Sequence, residues 1–381
     1  MNVILSGRPI QYPLTGIGWY TQYLLQGLQI HKLINQIVCI PNLSDKKINK
    51  KYFFLQLTFK KIIKLLPGSY ETLRYYRNVV FKRKTRPMID KGFIYHEPCY
   101  ILRPYLGPKI CTVHDLSHIH YPEYHPKERV KFLLYHLPRS INSADHIITG
   151  SQFIRDEIIN VFKISPDKIT SIYHGISKVF RPRQFNEVKS VLARYGLWKK
   201  TYLLSVGTLE PRKNLERLIQ AFKQLSEQQR KRYPLVLVGV KGWGIYRLEK
   251  LIQPLLQKEQ LYYLGYVAET DLPYLYSGAY AFVYISLYEG FGLPLLEAMA
   301  SGVPALASNV SSMPEVVQNA ALLVNPLDVD AISDKLRLLL MDNALRSHLS
   351  AQSLIQASKF SWEKCIDSTV NLYQKALAAY S

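Results

Sequence analysis

The strongest constraint on the fold is a strand-turn-helix-strand pattern in residues 280–307. Residues 280–287 (YAFVYISL) are almost continuously apolar, which is typical of a parallel strand that helices cover on both faces. The run stops at residues 289–292 (EGFG), where two glycines allow a tight turn. A helix is predicted from there to Gly302, followed by a short strand over residues 303–307. The pattern predicts a parallel α/β sheet.

Two carboxylates, Glu289 and Glu297, lie on either side of this turn. Glu289 follows the strand, at the sheet edge where open α/β sheets bind ligands, and Glu297 lies about one helical turn, about 5–6 Å, further on. A phosphate at the helix amino end would bind free N–H groups, and the carboxylates would accept hydrogen bonds from sugar hydroxyls. A nucleotide sugar fits this arrangement, but an ordinary strand-turn-helix with Glu297 in solvent fits it equally well.

The segment from residue 289, E-G-F-G-L-P-x-x-E-A-M-A-x-G-x-P, resembles the E-x7-E motif of the family-4 retaining glycosyltransferases. The resemblance implies that Glu289 faces the donor sugar and that Glu297 binds the ribose hydroxyls of the nucleotide. The residues between them that we assign to the donor site are Gly290, Phe291, Gly292 and Leu293.

A second strand is also followed by a glycine turn, and two basic residues come after this turn. Residues 202–206 read as a strand, Gly207 opens the turn, and Arg212 and Lys213 precede a helix that Asn214 is predicted to cap. Two cations at a helix amino end favour an anion site over ordinary surface, and the resemblance assigns both to the donor diphosphate. Their charge would stabilise the leaving group.

The resemblance assigns three further segments to the candidate site. The stretch G-I-G-x-Y-T resembles the family's amino-terminal loop near the donor phosphate and the acceptor, although a bare G-x-G predicts only a tight turn. His114, in an H-D pair after a strand, matches a family histidine that reaches the donor sugar. Without the resemblance, a hydrogen-bonded structural histidine explains that pair as well. The remaining donor-site residues are Gly16 and Gly18 in the first stretch, and Tyr266 and Val267 beside the nucleotide base.

Metal binding is considered at two places. His118, His120 and His125 crowd one loop, but the loop has no cysteine and its spacings match no strong zinc pattern. Residues 328–330 form a D-x-D sequence, the metal motif of a different glycosyltransferase fold, yet a helix follows and one aspartate is predicted to cap it. We therefore predict no metal and no cofactor, with the nucleotide-diphosphate sugar as a substrate.

Strands and helices alternate in two halves, which predicts an α/β fold of two Rossmann-like doubly wound domains facing a cleft. The resemblance to this two-domain fold, called GT-B, covers nearly the whole chain and is weakest over residues 46–105. The predicted domains are residues 1–183 on the acceptor side and residues 184–359 on the donor side. Terminal helices of about residues 360–381 are predicted to fold back on the first domain.

Composition agrees with a globular protein of about two domains, at 381 residues and 48% hydrophobic content. No apolar segment has the length of a membrane span, and no basic-then-apolar leader precedes the first predicted strand. The four cysteines lack CxxC spacing and are predicted to be reduced, which favours a cytoplasmic location; they are Cys39, Cys99, Cys111 and Cys365.

Positive charge is concentrated in residues 46–86, which hold thirteen Lys and Arg against one acidic residue, a net +12 of the total +21. Within residues 58–66, lysines alternate with apolar side chains, as in a segment lying in a membrane interface, where each lysine contributes about 1 kcal/mol. A helix packed on the first domain with solvated lysines is the alternative. We predict peripheral binding to the inner face of the plasma membrane; the residues concerned are Lys60, Lys61 and Lys64, extended by Tyr75, Tyr76 and Phe81.

The function predicted from these features is transfer of a hexose with anomeric retention, the donor diphosphate accepting the proton. Mannose from GDP-mannose is the first choice of donor, and a lipid-linked or polysaccharide intermediate of an envelope glycan is the acceptor. A UDP- or dTDP-sugar such as rhamnose is the alternative donor. A sugar-nucleotide epimerase of the same fold and a basic nucleic-acid-binding protein are competing hypotheses. The second explains the charge but not the paired glutamates, so we predict no nucleic-acid partner.

Overall fold

The computed structural model describes residues 1–10, 14–41 and 69–380. Its strands form two parallel six-stranded sheets. In the first sheet the spatial order is β2-β1-β3-β4-β5-β6, and in the second it is β12-β11-β10-β7-β8-β9. The strands are β1 Asn2–Ser6, β2 Gln36–Ile40, β3 Phe93–Glu97, β4 Lys109–Thr112, β5 His146–Thr149, β6 Ile169–Ser171, β7 Leu203–Val206, β8 Leu235–Val238, β9 Leu261–Gly265, β10 Ala281–Tyr284, β11 Ala305–Ser308 and β12 Ala321–Val324.

Helices cover both sheets, as the continuously apolar strands predict. In the first half they are α1 Gly16–Ile30, α2 Ser69–Ile89, α3 Ser117–His120, α4 Lys127–Ser143 and α5 Gln152–Phe162. In the second half they are α6 Phe185–Arg194, α7 Leu215–Lys223, α8 Glu227–Arg232, α9 Tyr246–Gln257, α10 Leu272–Ser277, α11 Leu293–Ala300, α12 Met313–Val317, α13 Val329–Met341 and α14 Asn343–Ala357, and the last helix is α15 Trp362–Tyr380.

The strand order confirms the doubly wound prediction and places a crevice in each half. The chain leaves β1 toward β2 on one side and continues from β3 to β6 on the other, so the order reverses between β1 and β3. In the second sheet the same reversal falls between β7 and β10. Ligands of open α/β sheets bind beyond the carboxyl ends of the strands at such a reversal. The loop after β7 carries Arg212 and Lys213, and the loop after β10 carries Glu289.

The predicted strand over residues 280–287 is longer than the observed β10, Ala281–Tyr284. After Tyr284 the chain turns away from the sheet, and the Leu287 N–H donates to the Arg212 carbonyl at 2.9 Å. The apolar run continues beyond the strand because Ile285, Leu287 and Tyr288 stay buried. Burial alone therefore did not mark where the strand ends.

The last helix, α15, packs on α1 of the first half. The Trp362 ring stacks on Tyr23 with centroids 4.7 Å apart, and the Tyr373 hydroxyl lies 2.6 Å from His96 Nδ1 in β3. The two connections between the halves run side by side, joined by a parallel bridge between Ile176 and Ser361. The chain thus leaves the first half and returns to it at neighbouring positions.

The halves also touch across the cleft. Ser151 Oγ, which caps α5, donates to the Gly290 carbonyl at 2.7 Å. Glu315 on α12 accepts from the Gln152 and Phe153 N–H groups at 2.7 and 3.0 Å. Since those are free N–H groups at the start of α5, a carboxylate of the second half satisfies the helix end of the first half.

The predicted membrane segment, residues 58–66, lies outside the described residues. The structure describes the predicted extension of this segment along α2. Tyr75 and Tyr76 are 73% and 65% exposed, but Phe81 is 1% exposed and packs against Tyr95 in the first-half core. Phe81 is therefore a core residue, and its inclusion in the membrane patch was wrong. Among the described helices, none is long and apolar enough to cross a membrane.

Candidate active site

Two loops of the second half meet at the reversal between β7 and β10. The loop after β7 ends in a short 3-10 turn, Pro211–Lys213, which directs Arg212 and Lys213 toward the loop after β10. Both cations are mostly but not fully buried there, with 12% of each side chain exposed. The structure thus brings the two cations and Glu289 together at one site.

The centre of the site is a cluster of two cations and two carboxylates. Arg212 Nη1 lies 3.0 Å from Glu289 Oε2, and its Nη2 donates to Glu210 Oε1 at 2.7 Å. Lys213 Nζ donates to Glu289 Oε1 at 2.6 Å and to the Tyr284 hydroxyl at 2.8 Å. The two positive and two negative formal charges of this cluster sum to zero. Because Glu289 contacts both cations, an incoming diphosphate would compete with it for them.

The charges in this cluster set the protonation of Glu289. Burial alone would raise the pKa of its carboxyl group, but the charges of Arg212 and Lys213 outweigh burial and lower that pKa to about 2. For Lys213, burial prevails over the attraction of Glu289 and lowers the ammonium pKa. Glu289 is thus a stable carboxylate at neutral pH, suited to accept a hydrogen bond from a hydroxyl group and unsuited to donate a proton.

The prediction that Asn214 caps α7 is wrong. It occupies the position before Leu215 with φ 58°, in the left-handed region, and its side chain makes no cap hydrogen bond. Its amide instead donates to the carbonyls of Ile285 and Pro326 at 3.1 and 2.7 Å. Asn214 therefore ties the cation turn to the chain leaving β10.

The turn before α11 is shaped by glycines. Gly292 has φ +98°, which favours glycine. At Gly290 a Cβ would lie 1.9 Å from the His114 carbonyl oxygen of the other half, so no side chain fits. Phe291 is buried against His174, with ring centroids 4.8 Å apart, and Leu293 begins the helix. The turn thus brings the amino end of α11 against the first half.

Glu297 lies on α11, where its Oε2 accepts from the Tyr276 hydroxyl at 2.8 Å. Burial raises the pKa of the Glu297 carboxyl to about 7, against the opposing effect of the Tyr276 hydrogen bond. The two glutamates of the motif thus have opposite electrostatic environments. Glu289 is held ionised by cations, whereas Glu297 titrates near neutral pH.

His114 follows β4 and faces the cleft from the first half. Its Nε2 lies 2.8 Å from the Pro98 carbonyl oxygen, which can only accept, so Nε2 carries the proton. Burial lowers the pKa of the ring, which leaves Nδ1 as an acceptor in the neutral form. The neighbouring Asp115 accepts from Ser117 Oγ at 2.8 Å and closes the loop. His114 is thus a hydrogen-bonded histidine, as the structural explanation of the H-D pair expects. Its Nδ1 is not used by these hydrogen bonds and is available to a ligand.

The other predicted residues lie around this centre. Gly16 begins α1, and a Cβ there would lie 3.8 Å from Leu293 Cδ1, so the first-half glycine loop meets the start of α11. A Cβ on Gly207 would lie 3.3 Å from Lys213 Cε. Tyr266 is 43% exposed, whereas the Val267 side chain is buried in the second-half core. At Gly18 a Cβ would meet the Pro9 carbonyl at 3.0 Å.

The two metal candidates do not converge on a common centre. Within the described ranges, no group of three His, Cys, Asp or Glu side chains could hold a metal ion. His120 pairs with Glu157 at 3.1 Å, and His118 and His125 are buried with ring nitrogens that have no hydrogen-bond partner among the described residues. Asp328 caps α13, accepting from the Ala331 N–H at 2.9 Å, which confirms the helix-cap interpretation of the D-x-D sequence.

Sequence reasoning missed the groups that hold the motif residues in place. Glu210 bonds Arg212, Tyr284 bonds Lys213, and Tyr276 bonds Glu297. The two tyrosines read as apolar members of β10 and α10, and Tyr276 is 21 residues from its partner. The one available signal was Glu210 itself, an acidic residue two positions before the cation pair.

Two family profiles match the chain. The profile described as "Glycosyl transferases group 1" matches residues 194–354, and "Glycosyltransferase Family 4" matches residues 93–178. The O-antigen chain mannosyltransferase B of Escherichia coli is 41% identical over 98% of this chain and 100% of its own length. The O-antigen chain mannosyltransferase RfbU of Salmonella typhimurium is 33% identical over 59% of each chain.

Solved structures share the fold at low sequence identity. The sucrose-phosphate synthase of Thermosynechococcus elongatus superimposes with a TM-score of 0.73 at 21% identity, covering 100% of both chains. HepE of Anabaena, solved in complex with UDP-glucose, gives a TM-score of 0.72 at 15% identity, covering 98% of this chain and 100% of its own. These likenesses confirm the two-domain GT-B fold.

Proposed function

The chain belongs to the group 1 glycosyl transferases, and from that membership we propose that it transfers mannose from GDP-mannose to a lipid-linked envelope glycan. Among known proteins, a full-length relative at 41% identity is an O-antigen chain mannosyltransferase, which supports both the sugar and the class of acceptor. A UDP- or dTDP-sugar donor is the alternative.

The observation that carries the proposal is the buried cluster of Arg212, Lys213 and Glu289 beside the amino end of α11. A departing diphosphate gains negative charge as the glycosidic bond breaks. Two fixed cations and free helix N–H groups would stabilise that charge where water is excluded. Displacement of Glu289 from the cations by the diphosphate would free its carboxylate to accept from the sugar hydroxyls.

The remaining residues bind and orient in this proposal. Glu297 accepts from the ribose hydroxyls, and His114 Nδ1 accepts from a hydroxyl of the donor sugar. The pKa of Glu289 is too low for proton transfer. We therefore assign the acceptor's proton to the diphosphate on the donor's front face, which gives retention without a protein nucleophile.

The direct test has two stages. Thermal shifts with GDP, UDP and dTDP identify the donor base, because a ligand of the folded state raises its stability by mass action. Incubation with GDP-mannose and acceptor should then increase the acceptor mass by one hexose. An epimerase would leave the acceptor mass unchanged, and a shift with UDP or dTDP alone would replace GDP-mannose with the alternative donor.

Chelation is expected to leave activity intact. The fixed cations Arg212 and Lys213 supply the charge that a metal would otherwise provide. The measurement is the rate of GDP release with and without EDTA. Asp328→Ala serves as the D-x-D control and should lose only a helix cap, about 1 kcal/mol of stability, with unchanged turnover. Loss of activity in EDTA with recovery in manganese would contradict this view.

The KM for GDP-mannose is expected to rise as the pH falls from 8 to 6, with kcat little changed. Glu297, with a pKa of about 7, accepts from ribose hydroxyls best when ionised. The donor itself, a diphosphate diester, does not titrate in this range. Because of the same raised pKa, the native state binds more protons than the unfolded state between pH 4.5 and 7. The free energy of unfolding therefore falls as the pH rises through this range, while the affinity for the donor increases.

The measurement is kcat and KM against pH for the wild type and Glu297→Gln. Glutamine keeps the shape and one acceptor oxygen but cannot ionise. The variant should show a KM about tenfold higher at pH 8 and no dependence on pH. A pH profile that the substitution leaves unchanged would assign the titration to another group.

A further inference from the structure

Tyr288 belongs to the loop after β10 in the second half, but its ring packs in a hydrophobic core of the first half. The residue is 3% exposed and lies in one cluster with Val113 and Leu116. Among the described residues, the other buried members of that cluster all belong to the first half. The rings of Tyr121 and Phe153 lie 5.8 and 6.0 Å from that of Tyr288, centroid to centroid. One side chain of the donor loop is thus fixed in the opposite half.

The hydroxyl group of Tyr288 makes two hydrogen bonds, and both partners lie in the first half. It accepts from the Leu116 N–H at 3.1 Å and donates to Glu157 Oε2 on α5. The other carboxylate oxygen of Glu157 lies 3.1 Å from Nε2 of His120. Burial raises the pKa of the Tyr288 hydroxyl, so this group keeps the proton that it donates. The first half therefore supplies a donor and an acceptor that match the hydroxyl group.

The backbone around Tyr288 is bonded to Arg212 of the donor site. The Leu287 N–H donates to the Arg212 carbonyl at 2.9 Å, and Arg212 Nη1 donates to the Tyr288 carbonyl at 2.5 Å. The same Nη1 lies 3.0 Å from Glu289 Oε2. The guanidinium group is therefore oriented by the carbonyl of a residue whose side chain is held in the other half.

We propose that Tyr288 is a positioning residue that couples the contact between the two halves to the orientation of Arg212. While the halves are in contact, the first half holds the Tyr288 side chain, and the Tyr288 carbonyl holds Arg212 Nη1 beside Glu289. When the halves separate, the hydroxyl exchanges both partners for water and the carbonyl is no longer fixed. Arg212 is then preorganised for a leaving diphosphate only in the assembled cleft. This inference rests on the proposed function for the role of Arg212.

The first experiment compares Tyr288→Phe with Tyr202→Phe. Phenylalanine keeps the ring and removes only the hydroxyl group. Tyr202 is the matched control because it is fully buried in the second half, where its hydroxyl donates to the Leu275 carbonyl at 2.6 Å. Tyr288→Phe should lower kcat for mannose transfer about tenfold and leave the Kd for GDP within a factor of about three. Tyr202→Phe should leave both constants within that factor, and equal changes of kcat in the two variants would overturn the proposal.

A double-mutant cycle tests the bond between Tyr288 and Glu157. Glu157→Ala should lower kcat as Tyr288→Phe does, whereas Glu157→Gln keeps an acceptor oxygen and should recover most of the loss. The double variant Tyr288→Phe/Glu157→Ala should be no slower than Tyr288→Phe, since both changes remove the same bond. Losses that multiply in the double variant would contradict the coupling. If Tyr288→Phe does not fold, the two Glu157 variants test the same bond from a side chain that is 16% exposed.

Amide hydrogen exchange tests the contact between the halves without any substrate. The Gln152 and Phe153 N–H groups are bonded to Glu315 of the second half, and neither bond includes Tyr288. Exchange at both amides should be about tenfold faster in Tyr288→Phe than in the wild type, because the halves separate more often. Faster exchange at Leu116 alone would show a local role and overturn the proposal. If the wild type transfers no mannose but exchange follows the expected pattern, the proposed function is wrong and the coupling between the halves stands.

Discussion

Replacing Arg212 with alanine is expected to lower kcat about 100-fold or more, with a smaller change in the KM for the donor. The guanidinium is fixed by Glu210 and Glu289 at 2.7 and 3.0 Å, so it needs no reorganisation when the diphosphate gains charge. The interaction strengthens as the bond to the sugar breaks and therefore acts on the chemical step. The measurement is steady-state kinetics with GDP-mannose as donor.

The same substitution also removes the partner of two buried carboxylates. Breaking a buried ion pair costs about 3–5 kcal/mol of stability, so the variant requires a thermal melt before its kinetics are interpreted. The double variant Arg212→Ala/Glu210→Gln removes one of the two unpaired charges. It should recover part of the melting temperature while kcat stays low, which separates the chemical role from the structural one.

Arg217→Ala is the matched control. Arg217 lies in the first turn of α7 and donates to Asn214 Oδ1 at 3.0 Å, and it forms no ion pair with Glu289. The same loss of charge close to the site should leave kcat within a factor of about three. If Arg212→Ala folds and turns over at the wild-type rate, the assignment of Arg212 to the leaving group is wrong.

Reversal of Lys60, Lys61 and Lys64 to glutamate is expected to release the protein from anionic vesicles. Each lysine near such a surface contributes about 1 kcal/mol, so their loss alone weakens partitioning by about 100-fold, before repulsion by the new carboxylates. The lysines lie outside the described residues, but α2, which follows them, exposes Tyr75 and Tyr76 at 73% and 65%. The measurement is co-sedimentation with phosphatidylglycerol vesicles at rising salt.

The control is an equal charge reversal on the second half, at three exposed lysines. It should leave vesicle binding close to wild type, and both triple variants should keep their thermal shift with GDP. If the first triple variant sediments with vesicles as the wild type does, its lysines are ordinary solvated surface. The control positions are Lys199, Lys223 and Lys258.

The fold could be predicted from the sequence because its signals are local. The strands predicted over residues 202–206, 280–287 and 303–307 lie within three residues of the observed ends of β7, β10 and β11, since a buried parallel strand is a short apolar run bounded by turn residues. The alternation of strands and helices predicted the doubly wound class, but the position of the reversal between β7 and β10 came from the structure. The motif glutamates and the cation pair were then placed at one crevice by the rule that governs such sheets.

The supporting contacts could not be predicted because they join residues distant in the chain. Tyr276 and Glu297 are 21 residues apart, and Lys213 and Tyr284 are 71 residues apart. Nothing in their neighbours distinguishes these tyrosines from core aromatics. The neighbours of Phe81 in the sequence are likewise uninformative, because they are mostly basic residues. Phe81 is nevertheless buried, since it lies on the face of α2 that packs against Tyr95.

The position of α15 has a consequence for biosynthesis. Residues from Trp362 to Tyr373 fill the same core as Val3, Leu5 and Tyr20, although the whole second half lies between them in the chain. Domains usually fold in the order in which the ribosome delivers them. Here the first half cannot complete its hydrophobic core until α15, the last helix, has left the ribosome. The second half, although it is synthesised later, can therefore complete its folding before the first half does.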